Sequence, residues 1–596
     1  MRRTRYGRIL TLLAAISFAI LTLLNLSSTL GQAGRDLVAE FATPDLLQPI
    51  PSPEPLASLE FPESHEHPIV QLVRDADASW QQTLRGQSQT LEAAASEYRH
   101  RYGIPPPPNF DKWYSFATAR GVQMIDEYDA LHKNLLPFWG ISPATIRSRA
   151  REAIGYAENM LMGLAIRDGQ VASITGGQEW MRHAVVGMVE HFVQYLPDMD
   201  VAFNTHDEPR VVVPHDDLAR LVRIALTQAM PAAGKVPNPK NAFSPRPDDL
   251  NSGRRFAQCR TSRFNWYAHQ SVWDPSRMSC APGTPARALD EALAADNLTA
   301  YAIGELGFVY NHTAFSDICN SPSLATSFGF FERPNAFNTV HDLFPIFSQS
   351  KLSSFQDIIY PSPWYWAEKV AYNPDKDLDW KSKIPKLFWR GSTTGGFSRD
   401  GGWRRQHRQH MVSRLNALDK AKILQDTTAF QGQDPTAPRD PDYKIKDVLR
   451  QDYENSMDVH FSHIGQCDPG DCVAQKEYFG LVNNVAQQDH WKWKYLLDMD
   501  GNAFSGRFYA FLKSKSLVFK MSIFREWHQE WLKPWVHYVP LSLRGDEVLE
   551  SVRYFSTEGE GGKELGAKLA EQGREWAGKV LRNDDFEVWF FRVLLE

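Results

Sequence analysis

The chain is poor in cysteine, carries no long basic block beyond its first residues, and shows no internal repeat. Five cysteines in 596 residues, Cys259, Cys280, Cys319, Cys467 and Cys472, are too few for a disulfide-built scaffold, and the odd count leaves at least one thiol without a partner in the chain. "CDPGDC", Cys467 to Cys472, reads as a small disulfide loop, because Asp-Pro-Gly turns the backbone within the gap between the sulfurs. No second cysteine pair at ligand spacing stands near it, which argues against zinc. A formal charge of −6 over so long a chain offers nothing to a polyanion, so nucleic-acid binding is not expected. What is present is a 43% hydrophobic composition with 18 Trp and 20 Tyr, which is globular. The length exceeds what one core serves, so two domains plus accessory segments are expected.

The N-terminus is the exception to the missing basic block. "MRRTRYGR" places four arginines before the uncharged run "ILTLLAAISFAILTLLNL", Ile9 to Leu26, about long enough to cross a bilayer as a helix. Residues 1–8 read as a cytosolic tail and 9–28 as a transmembrane signal anchor; a signal peptide cleaved near "SSTLGQAG" is the alternative. Either way the main body enters the secretory lumen, and the anchor reading gives a single-pass type II protein of the ER or Golgi membrane. Asn297-Leu-Thr299 and Asn311-His-Thr313 have the form of glycosylation acceptors. Residues 29–95 contain the proline- and carboxylate-rich "ATPDLLQPIPSPEPLASLEFPESHEHP", Ala42 to Pro68, and read as an extended stem, with a helix from about Leu84 to Arg101 halted by "GIPPPP". His65 and His67 flank a glutamate there, but a flexible stem cannot fix metal-ligand geometry.

From Asn109 to about Asn338 helical stretches such as "SPATIRSRAREAIGYAENMLMGLAI" mix with short apolar runs such as "RVVVP", which suggests an α/β domain with a mostly parallel sheet. From about His341 the alternation repeats: "KLFWRGS" as strand into Gly turn, "RRQHRQHMVSRLNAL" as helix, "WKYLLDMDG" as strand into Gly turn, and "SLVFK" as strand. Two α/β domains facing a cleft is the expected architecture.

Asp-x-Asp occurs at Asp198/Asp200, Asp377/Asp379 and Asp498/Asp500. Paired carboxylates can hold Mg²⁺ or Mn²⁺ against a diphosphate, but a spelling that recurs this freely is weak grounds for a metal. The third copy has the better context: a strand from Tyr495 to Met499, a turn at Gly501, then "FSGRFYAFLKSKS" as a helix with Ser505, Gly506 and Arg507 in its first turn. Backbone N–H groups at such a helix start suit an anion, and Arg507 adds a planar fork for phosphate oxygens. This cradle requires no metal, and Asp500 at the strand end is placed to face ligand. "FWRGSTTGG", Phe388 to Gly396, repeats the design with Arg390, Gly391, Ser392, Thr393 and Thr394, and two cations on one diphosphate would stabilise a departing nucleotide. A plain strand-turn-helix with an exposed arginine is the competing reading. His407 and His410, one turn apart, are expected on a solvated basic face. Lys520 reads as a further phosphate cation or a solvent-facing strand end. Tyr360, Trp364 and Trp366 read as stacking surfaces or as core.

An ordered set of segments, "HDLFPIFSQSKLSSFQDIIYPSPWYW", "LFWRGSTTGG", "KYLLDMDGNAFSGRFYAFLKSKSLVFK" and "LKPWVHYVPL", resembles glycosyltransferase family 90. That family contains fungal capsule-associated glycosyltransferases and xylosyltransferases and the animal protein O-glucosyltransferases. "YGIPPPPNFDKWYSFA", "DEYDALHKNLLPFWGISPATIR" and "LPDMDVAFNTHDEPRVVVP" look like the fungal branch, and the resemblance runs from about Tyr98 to the C-terminus.

The resemblance implies a GT-B-type α/β fold of two Rossmann-like domains, 96–340 on the acceptor side and 341–596 binding a nucleotide sugar. It also implies an inverting transfer of xylose or glucose from a UDP-sugar to a hydroxyl of a glycan or glycoprotein. Inversion calls for one in-line displacement and a base for the acceptor proton. The family's base is the aspartate of Asn-x-Arg-Asp-x-Pro; "NTHDEP" puts Asp207 there, with His206 where the animal branch has arginine. Glu526 is similar in place to an acidic residue that bonds ribose hydroxyls. The expected donor-side set is therefore Arg390, Gly391, Ser392, Thr393, Asp500, Gly501, Ser505, Arg507, Lys520 and Glu526. No cofactor is called for, and a Mn²⁺ requirement is left open. The competing classes are a membrane-anchored carbohydrate-binding protein on an inactive fold and a glycoside hydrolase, which needs two carboxylates astride the scissile bond.

Overall fold

The structure, a computed structural model, describes residues 66–288, 294–428, 441–557 and 559–596. The tail, the anchor and the first part of the stem lie outside the described residues. No helix among the described residues is long and apolar enough to cross a membrane.

From Glu66 onward the expected stem is folded. Pro68–Gly86 is a 19-residue helix, started by a Pro at its first position and by His67, whose ring accepts the Ile69 N–H. The His67 ring is itself buried, bonded to Glu550 at 2.9 Å and stacked on Tyr554. A second helix, Leu91–Tyr102, is capped by Thr90 and ends at Gly103 in the left-handed region. Apolar residues spaced along the first helix, Ile69, Leu72, Val73 and Trp80, give it a buried face, and Trp80 packs edge-on against Trp576. Proline content hid this amphipathic pattern in the sequence.

Two five-stranded sheets carry the α/β body. The first runs Gln170–Thr175, Leu161–Arg167, Met199–Asn204, Ile346–Ser348, Ile358–Ile359. Leu161–Arg167 is antiparallel to both neighbours, and the remaining pairs are parallel, so this sheet is mixed rather than mostly parallel. The expected long helix stops at Gly155, and "LMGLAIR" becomes a strand buried at all seven positions, as a continuous apolar run in a two-sided sheet requires. "RVVVP" is buried but forms only a bridge, Val211 to Val340. The expected boundary at 340/341 also shifts, because Ile346–Ser348 and Ile358–Ile359 belong to the first sheet.

The second sheet is wholly parallel: Met457–His463, Ile384–Ser392, Trp493–Met499, Leu517–Met521, Val539–Pro540. "KLFWRGS", "WKYLLDM" and "SLVFK" are strands as read. The final helix, Asn583–Leu595, packs back on Phe110–Ala119 and Glu179–Val189. Phe591 stacks on Phe192, and Trp113 Nε1 donates to Val588 O. Arg592 is buried against the rings of Tyr98, Phe110, Trp113 and Tyr128, its charge met by Glu596 at 2.7 Å. One core therefore runs through both halves. Disulfides close Cys467–Cys472, as expected, and Cys280–Cys319, and Cys259 is free.

The loop after Met199–Asn204 is pinned by buried Asp357. Its carboxylate accepts the N–H groups of Arg210 (2.9 Å) and Val211 (2.8 Å) and the Ser348 hydroxyl (2.6 Å). Asp357→Ala orphans all three donors in the interior, at about 1–3 kcal/mol each. The variant is expected to unfold at clearly lower denaturant, with Asp357→Asn intermediate; an unchanged midpoint in chemical denaturation would contradict this role.

Candidate functional site

In the parallel sheet, chain order reads second, first, third, fourth, fifth across the strands. The connections leave Ile384–Ser392 and Trp493–Met499 in opposite directions, and such a reversal opens a crevice at the carboxyl ends of the two strands. The two loops picked out from sequence, 392–396 and 500–507, emerge there side by side. Their closeness needs glycine: a Cβ on Gly395 (φ +109°) would lie 2.8 Å from the His407 ring, and one on Gly396 (φ +152°) 2.6 Å from Gly329 O.

Arg408 ties the loops together from beneath. Its Nε donates to Asp500 O (2.7 Å), one terminal nitrogen to Thr394 Oγ1 (2.8 Å) and Ser392 O (3.3 Å), and the other to Met499 O (3.2 Å). His407 bonds Asp500 O at 2.8 Å and stacks on Phe328. The expected solvated basic face is therefore corrected: His407, Arg408 and Gln409 are buried, and His410 alone of these is exposed. The helix packs its first turn against the two loops, so what read as surface charge is the floor of the crevice. Burial and the neighbouring Arg507 depress Arg408 to about 9.

The remaining donor-side residues divide. Arg507 lies at the crevice with its guanidinium against Trp389 and donates to Arg390 O at 2.6 Å. The helix after it is only Phe508–Lys513, so Ser505, Gly506 and Arg507 precede it instead of forming its first turn, and six residues make little of a dipole. Gly501 is not in the left-handed region; its missing Cβ makes room for Arg408, 3.3 Å away. The Arg390 fork is engaged by Asp458 on the adjacent strand, at 2.5 Å to the carboxylate and 2.8 Å to the carbonyl. Ser392 pairs with Thr394, and Thr393 is buried and exchanges hydrogen bonds with Gly465. Gly391 has no space for a Cβ against the Trp389 ring.

Lys520 is corrected as a phosphate cation: it is buried, bonds Asp498 at 3.0 Å and covers the Phe508 ring. Burial alone would lower its pKa, but Asp498, Glu526 and Asp500 outweigh that and raise it. Asp498 also accepts the Ser505 hydroxyl, and Asp500 accepts the N–H groups of Ile523 (2.8 Å) and Phe524 (3.2 Å). Both carboxylates brace loops here. Glu526 differs: it is buried, and neither of its oxygens has a hydrogen-bond partner. Burial, with Asp500 and Asp498 adding to it against Lys520, pushes it to about 8. Tyr360 is core, Trp364 donates to Gly506 O, and Trp366 packs on Gly187.

Asp207 projects from the pinned loop on the opposite side. Asn204 holds that loop, donating to Glu208 O (2.7 Å) and accepting from His206 N (3.0 Å) and Arg210 Nε (2.5 Å). Solvent reaches Asp207, but protein surrounds it on most sides, and this crowding raises its pKa while the facing Asn502 side chain opposes the rise. Asn502 also accepts Gly395 N at 3.2 Å, so the Asp207 loop and both crevice loops converge on one amide. Next to Asp207, Glu208 is buried on the Ala336 N–H and pushed to about 8. Lys351 and Arg525 exchange backbone hydrogen bonds, at 3.0 and 2.7 Å, and so join the first-sheet side to the segment carrying Glu526.

Sequence reasoning missed Arg408, Asn502 and Lys351. Arg408 had one signal, an arginine among polar residues in a helix just past a Gly-rich turn; the other two had none beyond lying in quoted segments.

Glu526 yields a pH test. Its folded pKa of about 8 stands above the ordinary 4.5, so between these values the folded chain holds a proton that the unfolded chain has lost. Its contribution then falls as pH rises, by up to about 1.4 kcal/mol per pH unit, and levels off above the folded pKa. Glu526→Gln removes this slope. The variant and the parent are expected to melt together near pH 5, with the variant melting higher at pH 8.5; parallel melting curves against pH would refute the assignment.

Residues 331–596 match the family model "Glycosyl transferase family 90". O-glucosyltransferase rumi of Drosophila melanogaster is 27% identical over 252 residues, 42% of this chain and 53% of that protein. Human protein O-glucosyltransferase 1 is 26% identical over 257 residues, 42% of this chain and 56% of that protein. Protein O-glucosyltransferase 2 of Danio rerio is 31% identical over 262 residues, 42% of each. The chain spans about half the length of these curated relatives. The matched segment holds the whole parallel sheet, both crevice loops, Arg408, Arg507 and Glu526, and the match to glycosyl transferase family 90 covers residues 331–596 of this chain.

Proposed function

We propose that the protein is an inverting glycosyltransferase that moves a sugar, xylose or glucose, from a UDP-sugar to a hydroxyl of a glycan or glycoprotein. The observation that carries the reading is the excess of guanidinium at the strand-order reversal. Arg408 and Arg507 both lie against the Trp389 ring, each 5.7 Å from its centroid, and the nearest carboxylates, Asp498 and Asp500, bond Lys520 and backbone N–H groups and neither arginine. Two guanidinium groups that no carboxylate bonds directly, in a recess of low dielectric, favour an anion, and a diphosphate fits a crevice floored by loop N–H groups and hydroxyls. The unpartnered Glu526 carboxyl would pair with two vicinal hydroxyls, accepting one hydrogen bond and donating its own proton in another, as a ribose allows.

In this reading the fold is of GT-B type. The first sheet with the final helix forms the acceptor half and the parallel sheet forms the donor half. Arg507 meets the charge that develops on the departing diphosphate, Arg408 holds the loops in register, and Asp207 removes the acceptor proton. The raised pKa of Asp207 makes it a better base than an ordinary carboxylate. The diphosphate charge is met by arginine and N–H groups, so a divalent ion is not part of the proposed mechanism. Two disulfides and the N-terminal apolar run support a lumenal site in the ER or Golgi, held by a signal anchor. An inactive carbohydrate-binding relative is the other reading, and the experiment below separates the two.

Asp207→Asn keeps the shape and is expected to leave melting and UDP affinity unchanged while slowing transfer by about 10²-fold or more. Arg507→Ala is expected to weaken UDP-sugar binding and to slow transfer, losing about 2–4 kcal/mol of transition-state stabilisation. Calorimetric UDP binding and UDP release from UDP-xylose and UDP-glucose check both. Transfer at the parent rate in Asp207→Asn would remove the base, and parent affinity and turnover in Arg507→Ala would move the diphosphate elsewhere.

A further inference from the structure

Every tryptophan but one is buried or half-buried; Trp266 is 51% exposed. A single exposed apolar side chain is ordinary, so its surroundings decide its meaning. Trp266 sits on a two-residue strand, Asn265–Trp266, paired antiparallel with Asn338–Thr339, and the next residue continues the pairing through Tyr267 N to Phe337 O at 2.8 Å. The segment leading to it is clamped by Arg263, which bonds Glu152 at 2.7 Å and Asp342 at 2.8 Å. The backbone under the indole is therefore fixed from both sides, although the indole itself contributes little to the core.

Its neighbour is the loop of the proposed base. The His206 ring stands edge-on to the indole, with centroids 6.1 Å apart and planes at 83°, and Asp207 follows directly in the chain. His206 is held through its backbone N–H to Asn204 Oδ1 at 3.0 Å. Burial and Arg210 depress its imidazole to about 4, so it is neutral near pH 7 and does not repel or attract charge at the mouth of the site. The pair forms an uncharged corner whose indole is half exposed to solvent, and the chain runs directly from His206 into Asp207. A pyranose ring has one face of C–H groups and a rim of hydroxyls, and it matches this corner: the C–H face lies on the indole while a rim hydroxyl reaches the carboxylate. A serine in a peptide offers a single hydroxyl and no such face.

We propose that Trp266, with His206 behind it, is an acceptor subsite that takes the face of a pyranose, so that the hydroxyl glycosylated belongs to a carbohydrate and not to a protein serine. This rests on the reading of Asp207 as the base. Trp266 is a positioning and specificity residue and takes no part in the proton transfer.

The test uses the full chain in detergent, as parent, Trp266→Ala and Trp266→Phe. UDP affinity, UDP release without acceptor, and transfer from UDP-xylose and UDP-glucose are measured with manno-, gluco- and galacto-trisaccharides and with a serine-containing peptide as acceptors. The expected result is transfer to at least one trisaccharide. Its KM should rise about tenfold in Trp266→Ala, as loss of one aromatic contact implies, with kcat moving less and Trp266→Phe recovering most of the loss. UDP affinity and acceptor-free UDP release should stay at parent values in both variants. Transfer to the peptide alone, transfer to no acceptor while UDP still binds, or a trisaccharide KM unchanged in Trp266→Ala would each overturn the subsite and leave the donor site standing. Failure of the parent to bind UDP would overturn the donor site and the subsite with it.

Discussion

The site depends on one buried cation. Arg408 has no carboxylate bonded to it; carbonyls and a hydroxyl at the ends of two adjacent parallel strands take its donors. Removing a guanidinium from water is costly unless its N–H groups are met, and here meeting them requires the 392–396 and 500–507 loops to be in place together. Arg408 thus converts two separate loop ends into one floor. Asp500 and Asp498 offset its charge through space without bonding it, while burial and the neighbouring Arg507 act the other way.

The carboxylates show the same division of labour. Asp357, Asp498 and Asp500 each accept hydrogen bonds that hold a loop, and a buried carboxylate so engaged is a brace, even with Asp500 Oδ1 left unpaired. The Glu526 carboxyl is buried without a hydrogen bond. An unmet buried acid costs free energy that the fold does not recover, and such groups gather where a ligand completes them. The contrast between Glu526 and Asp498 says more about the site than the presence of any one acid.

The strands of the parallel sheet were legible because "KLFWRGS", "WKYLLDM" and "SLVFK" are apolar runs too short for a helix and end in glycine or lysine. The disulfide in "CDPGDC" was legible from the closeness of its cysteines, although Asp468 caps and Pro469 starts a helix where a turn was expected. The helix expected to start at Phe504 was not, since nothing local says that Ser505, Gly506 and Arg507 spend their polar groups on Asp498, Trp364 and Arg390. His407 read as solvent-facing because one-turn spacing of basic residues describes a surface unless a tertiary partner intervenes, and Phe328 and Asp500 are distant in sequence. Lys520 was misread for the same reason: its partner, Asp498, lies across a register that only the folded sheet fixes. Local pattern carries secondary structure; commitment of a polar group to a partner is a long-range fact.

Asp207 and the paired arginines sit on different halves, and the structure couples them through side chains that carry no charge. Asn502 faces Asp207 and accepts the Gly395 N–H, while His206 beside the proposed base is held neutral. A cation in that place would draw the proton off Asp207 and weaken it as a base, and it would compete with Arg507 for the diphosphate. Neutral contacts let the carboxylate keep a raised pKa on one wall while the opposite wall keeps its positive charge. A displacement needs that separation, because the proton leaves on one side of the sugar and the negative charge develops on the other. Two sheets with one continuous core hold such walls at fixed distance without asking either wall to give up its charge.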